Sequence, residues 1–244
     1  MRVETSLVCA LLITVAVGCG DKGSGDGDDT GGSASQAGSS TSAGTSSAGT
    51  SSAGTSAGGS ASTAMPVYTF DTDIQGFKVQ DSSGATGVDP VPKGDIMLSF
   101  NADEGTPDPG ALQLDIPYSA ASQYVSAGVN IDPPGVDLTG KTIKAMVKIV
   151  SGYGTEEDLM TAPANAKLYV KTGANYVYAS ASVANVTSIG TWTAIDFNTR
   201  FPDYNADKNA YDPAQVLEIG VQFDTNSAST TATPAVVLLD NISY

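Results

Sequence analysis

Histidine is missing from this chain of 244 residues. Its absence excludes Ser-His-Asp and Cys-His catalytic arrangements and His-ligated zinc. Cysteine is almost as scarce. Cys9 and Cys19 both stand near the N-terminus, so everything after them lacks a disulfide and a thiolate nucleophile. Stability there must come from burial or from a bound metal. Basic residues are few, 11 Lys and Arg against 26 Asp and Glu, and the formal net charge is −15. No Lys/Arg cluster is interleaved with aromatics, so nucleic acid is not expected as a partner. The overall field also disfavours anionic polysaccharides, although Lys144, Lys148, Lys167 and Lys171 are placed to make a local positive patch.

Long apolar runs are lacking too. The stretch Leu7 to Val17 is too short to span a bilayer. With Arg2 before it and the small residues of Ala16-Val17-Gly18-Cys19 after it, residues 1–18 read as a secretory signal. The tetrapeptide resembles a bacterial lipobox, with Ala16 in place of the commoner Leu. That resemblance implies lipidation of Cys19, and Gly20 after it favours the outer membrane, with the periplasmic or external face left open. An ordinary signal peptide with an incidental cysteine is the alternative.

Residues 19–65 are Gly, Ser, Ala and Thr with an early acidic cluster, and SSAGT occurs at 46–50 and again at 51–55. Almost no large apolar side chain is available to offset chain entropy, so a disordered tether is expected. As a Gly/Ser coil of about 45 residues, its mean span is on the order of 35 to 40 Å.

From Met65-Pro66 to Tyr244 the pattern has period two, over a length that suits one β-sandwich without staples. Leu112, Leu114 and Ile116 share a face, as do Ile143, Ala145, Val147 and Ile149, and as do Leu217, Ile219, Val221 and Phe223. Further strands are expected at 67–71, 76–80, 94–101, 123–131, 166–171, 175–183, 191–197 and 235–243. Turns are expected at Asp81-Ser82-Ser83-Gly84, Asp132-Pro133-Pro134-Gly135 and Lys171-Thr172-Gly173. One short helix is expected at Asp212-Pro213-Ala214-Gln215-Val216, an N-cap followed by proline. Many short strands with few helical periods indicate an all-β antiparallel sandwich or jelly roll.

Six ordered segments carry a more specific likeness: YTFDTDIQGF, GALQLDIPY, VDLTGKTIKAMVKIVSG, GTWTAIDF, DPAQVLEIGVQF and VVLLDNISY. In that order the chain from 66 to 244 resembles the galactose-binding-like jelly rolls that serve as carbohydrate-binding modules beside bacterial polysaccharide-degrading enzymes. The resemblance implies a non-catalytic sugar-binding domain, a packing role for Trp192, and a structural calcium between an acid of the first strand and the Asp of the last. Those positions are Asp71, after Phe70, and Asp240, with Asp73 a third candidate ligand or a solvated residue. The chemistry is consistent, since calcium takes several hard oxygens and two carboxylates with backbone carbonyls suit it. Hydrogen bonds from turn amides would satisfy a buried Asp240 equally well.

A second acidic stretch, Asp203 to Asn209, spaces oxygen ligands at alternate positions. Yet Lys208 stands where an EF-hand turn needs Gly, and Ala214 where it needs Glu, so a solvated loop is expected. Glycoside hydrolysis needs only two carboxylates. Glu104, Asp115, Glu156, Glu157, Asp196 and Glu218 are available, but none lies in a recognisable motif, and Glu156-Glu157-Asp158 reads as a solvated loop.

Sugar binding asks for flat apolar faces with amides and hydroxyls beside them. Tyr169, Tyr176 and Tyr178 are the candidate platforms, Tyr169 foremost because it alternates with Lys167 and Lys171. Gln113, Gln222 and Lys144 are candidate polar contacts on outward faces of their strands. The expected protein is a monomeric, membrane-anchored binder of a neutral polysaccharide. The alternative is a structural or adhesive surface lipoprotein.

Overall fold

A computed structural model describes residues 66–229 and 233–244. The signal segment, Cys19 and the tether lie outside the described residues. Among the described residues, thirteen short strands follow one another: β1 (Pro66–Tyr68), β2 (Lys78–Gly84), β3 (Met97–Asn101), β4 (Ala111–Ile116), β5 (Gln123–Asn130), β6 (Thr142–Ser151), β7 (Ala164–Thr172), β8 (Val177–Ser180), β9 (Ala184–Val186), β10 (Thr193–Asn198), β11 (Tyr204–Asn205), β12 (Val216–Asp224) and β13 (Ala235–Ser243). One α-helix, α1 (Glu156–Thr161), joins β6 to β7, and a single 3-10 turn (Lys93–Asp95) precedes β3.

The strands form two sheets. The first runs β10-β6-β13-β4-β3, with β1 on β13; the second runs β11-β8-β7-β12-β5-β2, with β9 on β7. All these pairings are antiparallel. The fold is therefore the all-β antiparallel sandwich that the alternation predicts. Its first strand lies against its last, with Pro66 opposite Ser243.

The core is made by the inward faces of both sheets. Leu112, Leu114 and Ile116 of β4 and Ile143, Ala145, Val147 and Ile149 of β6 line the inner face of the first sheet on either side of β13, and Ile219, Val221 and Phe223 of β12 contribute from the second sheet. Each large aliphatic side chain fully buried here contributes about 1.5–3 kcal/mol relative to exposure. Aromatic edges seal one end, where Phe77 packs edge-on against both Phe70 and Tyr68.

Four local expectations are corrected. Glu156-Glu157-Asp158 is not a loop but the first turn of α1. Thr155 and Asp158 form a reciprocal capping box, the three acids favour the positive end of the helix, and Leu159 is fully buried. Asp212-Pro213 starts no helix. The Pro213 carbonyl accepts from Leu138 N at 2.8 Å and Val136 bridges Val216, so long-range pairing draws the segment straight into β12. Asp81-Ser82-Ser83-Gly84 is not a turn but the end of β2, held in register against Ser126, Val125, Tyr124 and Gln123 of β5. Trp192 stands outside the core cluster, partly buried, with the Lys148 ammonium 5.7 Å from its ring centre.

Candidate functional site

The outer face of the second sheet is shaped by two missing side chains. Gly220 of β12 lies between Gly128 of β5 and Tyr169 of β7 in the cross-strand register. A Cβ on Gly220 would stand 2.5 Å from the Cζ and Oη of Tyr169, and one on Gly128 would stand 2.7 Å from that hydroxyl. The Tyr169 ring therefore lies down across both glycines. It is 1% exposed although it points away from the core.

A second tier rests on it. Tyr178 of β8 stacks on Tyr169 with ring centres 5.3 Å apart and planes 19° apart, and Tyr204 of β11 meets Tyr178 edge-on at 5.9 Å. Each such pair is worth about 0.5–1.5 kcal/mol beyond burial. Beneath them Glu218, 3% exposed, accepts from the Tyr169 hydroxyl at 2.8 Å and is ion-paired to the Lys171 ammonium at 3.0 Å. Lys171 in turn hangs 5.8 Å from the Tyr169 ring centre. Gln222 accepts from the Tyr178 hydroxyl at 3.3 Å and donates to Asp224 at 2.6 Å. Burial and the Glu218 charge hold the Tyr169 hydroxyl well above the usual phenol range, and burial pushes Tyr178 up to about 12. Both are therefore neutral donors at every physiological pH.

Tyr169, Lys171, Tyr178, Tyr204 and Gln222 line an open groove of about 380 Å³, with Asp81 from β2, Tyr124 and Ser126 from β5, Lys167 from β7, and Ala206 just after β11. That volume is within the range of small-ligand clefts. Of the six residues that sequence reasoning put forward for ligand contact, Tyr169, Tyr178 and Gln222 come together here. Tyr176 is exposed in the hairpin turn between β7 and β8, outside the lining. Gln113 and Lys144 belong to β4 and β6 of the other sheet, so one groove does not hold all six. Gln113 there bonds Asn101 and Asp115, and Lys144 borders a shallow depression with Met146, Ala194, Asp196 and Asn241.

Tyr204 and Tyr124 were missed. Tyr204 sits in the segment read as a solvated loop, which instead pairs as β11 with β8, and Asp203 accepts from the distant Ser182 N at 2.8 Å; only Asn205 and Asp207 turn back locally, accepting from Asp207 N and Asn209 N. Tyr124 was readable in principle, since Tyr124 and Ser126 alternate with core Val125 and Ala127. What the alternation does not carry is that β5 lies next to β12.

The acidic positions at the strand ends form a separate cluster. Asp240 is 2% exposed and accepts backbone N–H groups from Thr106 and Asn241, each at 2.6 Å. Its carboxyl is nevertheless pushed up to about 6, by burial first and then by the like charges of Asp71 and Asp108. The Phe70–Asp71 backbone is seated tightly on Gly110, where a Cβ would come 2.6 Å from the Phe70 carbonyl oxygen. Asp71 is exposed and accepts from the Thr69 hydroxyl at 2.7 Å. Asp73 accepts from Gln75 N at 2.6 Å and so closes its own turn. Among the described residues, no three acidic side chains converge tightly enough to form a metal cluster by themselves. The donor set still fits calcium in kind: hard oxygens, an excess of negative charge, and a loop backbone beside them.

The sequence profile of a family described as mannanase, galactose-binding domain-like matches residues 68–241. No curated protein matches the chain. Among solved structures, the chain is similar to the family 11 carbohydrate-binding module of the cellulosomal cellulase Lic26A-Cel5E of Clostridium thermocellum, at 14% identity over 75% of this chain and 94% of that one, with a TM-score of 0.47. It is also similar to the CBM22-1 xylan-binding domain of Paenibacillus barcinonensis Xyn10C, at 17% identity over 72% of this chain and 89% of that one, with a TM-score of 0.41.

Proposed function

Because this chain belongs to the family described as mannanase, galactose-binding domain-like, we propose that it is a non-catalytic polysaccharide-binding protein whose ligand lies in the groove over β7, β8 and β12. The observation that carries this reading is the aromatic tier, in which Tyr178 is fixed on Tyr169 with Tyr204 at its edge. A pyranose ring lays its CH face on such a surface, while Gln222 and Ser126 offer amide and hydroxyl groups to its hydroxyls. A neutral glycan suits a chain of net charge −15. The lining contains a single carboxylate, Asp81, whereas glycoside hydrolysis needs two flanking the scissile bond.

Cys19 would anchor the protein as a monomer to the outer membrane, and the tether would hold the sandwich away from it. Asp71 and Asp240, with backbone carbonyls, would hold a structural calcium, whose charge would offset the mutual repulsion of these acids. The deciding experiment is affinity electrophoresis of the chain carrying Cys19→Ser in gels containing mannan, xylan, β-glucan or cellulose derivatives. Retardation by at least one neutral polymer is expected, and free migration in all of them would remove the binding reading.

A further inference from the structure

The charges around the groove are arranged differently from those of the chain as a whole. Lys171 is 3.0 Å from buried Glu218, and Lys93 is 3.6 Å from Asp81 on the wall. Lys167 faces Asp224, a mostly buried acid whose ionised form the ammonium favours. Three cations thus stand against three carboxylates, in a protein that elsewhere carries a large excess of acid. Only Asp81, Lys167 and Lys171 reach the groove surface, and they present two positive groups against one negative.

A groove with that surface and no counter-charge beneath it would attract uronates. A hexuronate or carboxymethyl substituent brings a full negative charge within a few ångströms of Lys171, where the interaction is worth several times its value in bulk water. Glu218 answers that charge first. It fixes the ammonium from below through a contact that a ligand cannot displace without leaving a buried carboxylate unpaired, a costly state. Asp81 repels an acidic substituent directly from the opposite wall.

We infer that Glu218 and Asp81 are specificity-determining residues: Glu218 cancels Lys171 from below and Asp81 adds a negative group to the opposite wall, so that the groove selects neutral over acidic glycans. The inference rests on the groove being the binding site. It locates selectivity in two carboxylates that contact lysines, Glu218 without reaching the groove surface.

The test uses a matched pair of soluble polymers, neutral hydroxyethylcellulose and anionic carboxymethylcellulose, in affinity gels at low ionic strength with the Cys19→Ser chain. Glu218→Gln keeps an acceptor for the Tyr169 hydroxyl and removes the charge. It is expected to raise affinity for carboxymethylcellulose about 5- to 10-fold, and the gain should vanish in ~0.5 M salt, where the screening length is only a few ångströms. Asp81→Asn, on an exposed side chain where Asn keeps the acceptor for Ser82 N, is expected to give a smaller gain of the same sign, about 2- to 3-fold. The inference is overturned if Asp81→Asn and a folded Glu218→Gln bind the anionic polymer no better than the parent, or if the gain survives high salt. Should Glu218→Gln fail to fold by circular dichroism, the Asp81→Asn result alone decides. Failure of the broader reading looks different: no neutral polymer retards the parent, while the charge variants still gain on the anionic one.

Discussion

The groove and the acid cluster at the strand ends solve the same problem in opposite ways. Both place carboxylates out of water on the outer side of a sheet. In the groove, Glu218 is met by a phenol hydroxyl and an ammonium, and the site is complete with protein atoms alone. At Asp240 the partners are two backbone amides and two further acids, which leaves the carboxyl raised to about 6. A buried charge satisfied within the chain fixes neighbouring side chains in place. One left with like-charged neighbours invites a cation from outside.

The self-sufficiency of the groove breaks most severely at its glycine floor. Gly220→Ala puts a methyl 2.5 Å from the Ala127 carbonyl oxygen as well as from the Tyr169 ring. Because one neighbour is backbone, β12 and β5 must separate. We expect a loss of about 3 kcal/mol or more in urea unfolding, with glycan retention abolished. Stability equal to the parent would show that the ring does not lie on this floor.

The dependence of the other cluster on its surroundings shows in pH. The folded-state pKa of Asp240, about 6, exceeds its ordinary value of 3.8, so between those values the folded chain holds a proton that the unfolded chain releases. Without calcium, the thermal midpoint is expected to rise as pH falls from 7 to 5 and to drop again as pH rises. Asp224, also raised by burial, adds slope of the same sign. If calcium is held there as proposed, it would reverse the Asp240 contribution, because it would bind only the ionised carboxylate. The increment produced by calcium at a hundredfold excess over its Kd, about 5 to 10 °C, is expected to be largest at pH 7 and to shrink towards pH 5. Subtracting the calcium-free curve removes the Asp224 slope. A calcium increment of zero at pH 7, in chelator-treated protein, would leave the two amides as the whole answer for Asp240.

Tyr178→Ala sharpens the comparison from the binding side. It removes the upper ring while leaving Tyr169 on its glycines and Glu218 paired. Affinity for the retained glycan is expected to fall about 10-fold, with a stability cost of about 2–3 kcal/mol from its two ring contacts and their burial. An unchanged affinity would move the sugar off this tier.

Much of this was legible in the sequence, and the remainder was illegible for a definite reason. Alternation gave the inward faces of β4, β6 and, from Ile219 onward, β12, because a side chain's face depends on its own strand; it failed at Leu217, where a bulge between Val216 and Glu218 puts Val216 in the core instead. It also put Glu218 and Gln222 on the outer face, but they are 3% and 7% exposed rather than solvated, because Tyr169 and Tyr178 from neighbouring strands lie near them. Strand order decides that, and strand order is not encoded in any one segment. The same ignorance scattered Gln113 and Lys144 onto the opposite sheet. It also concealed why Tyr169 lies at the base of the aromatic tier rather than on its open surface. The helix at Thr155 was missed for a local reason: three consecutive acids look solvated unless the cap three residues before Asp158 is noticed.

The smallest expected effect isolates the acid cluster from its nearest look-alike. Asp73 precedes Gln75 in an exposed turn and spends one oxygen on that residue's amide. Asp71, two residues earlier, is the one whose charge reaches Asp240. If the cation is held by the first and last strands alone, Asp73→Ala loses only a turn hydrogen bond, about 0.5 kcal/mol at an exposed site. Its calcium increment then equals the parent's, while Asp71→Ala loses most of that increment and gains stability in the calcium-free state by removing a like charge. Equal loss in both variants would instead make Asp73 a ligand and extend the site outward along the turn.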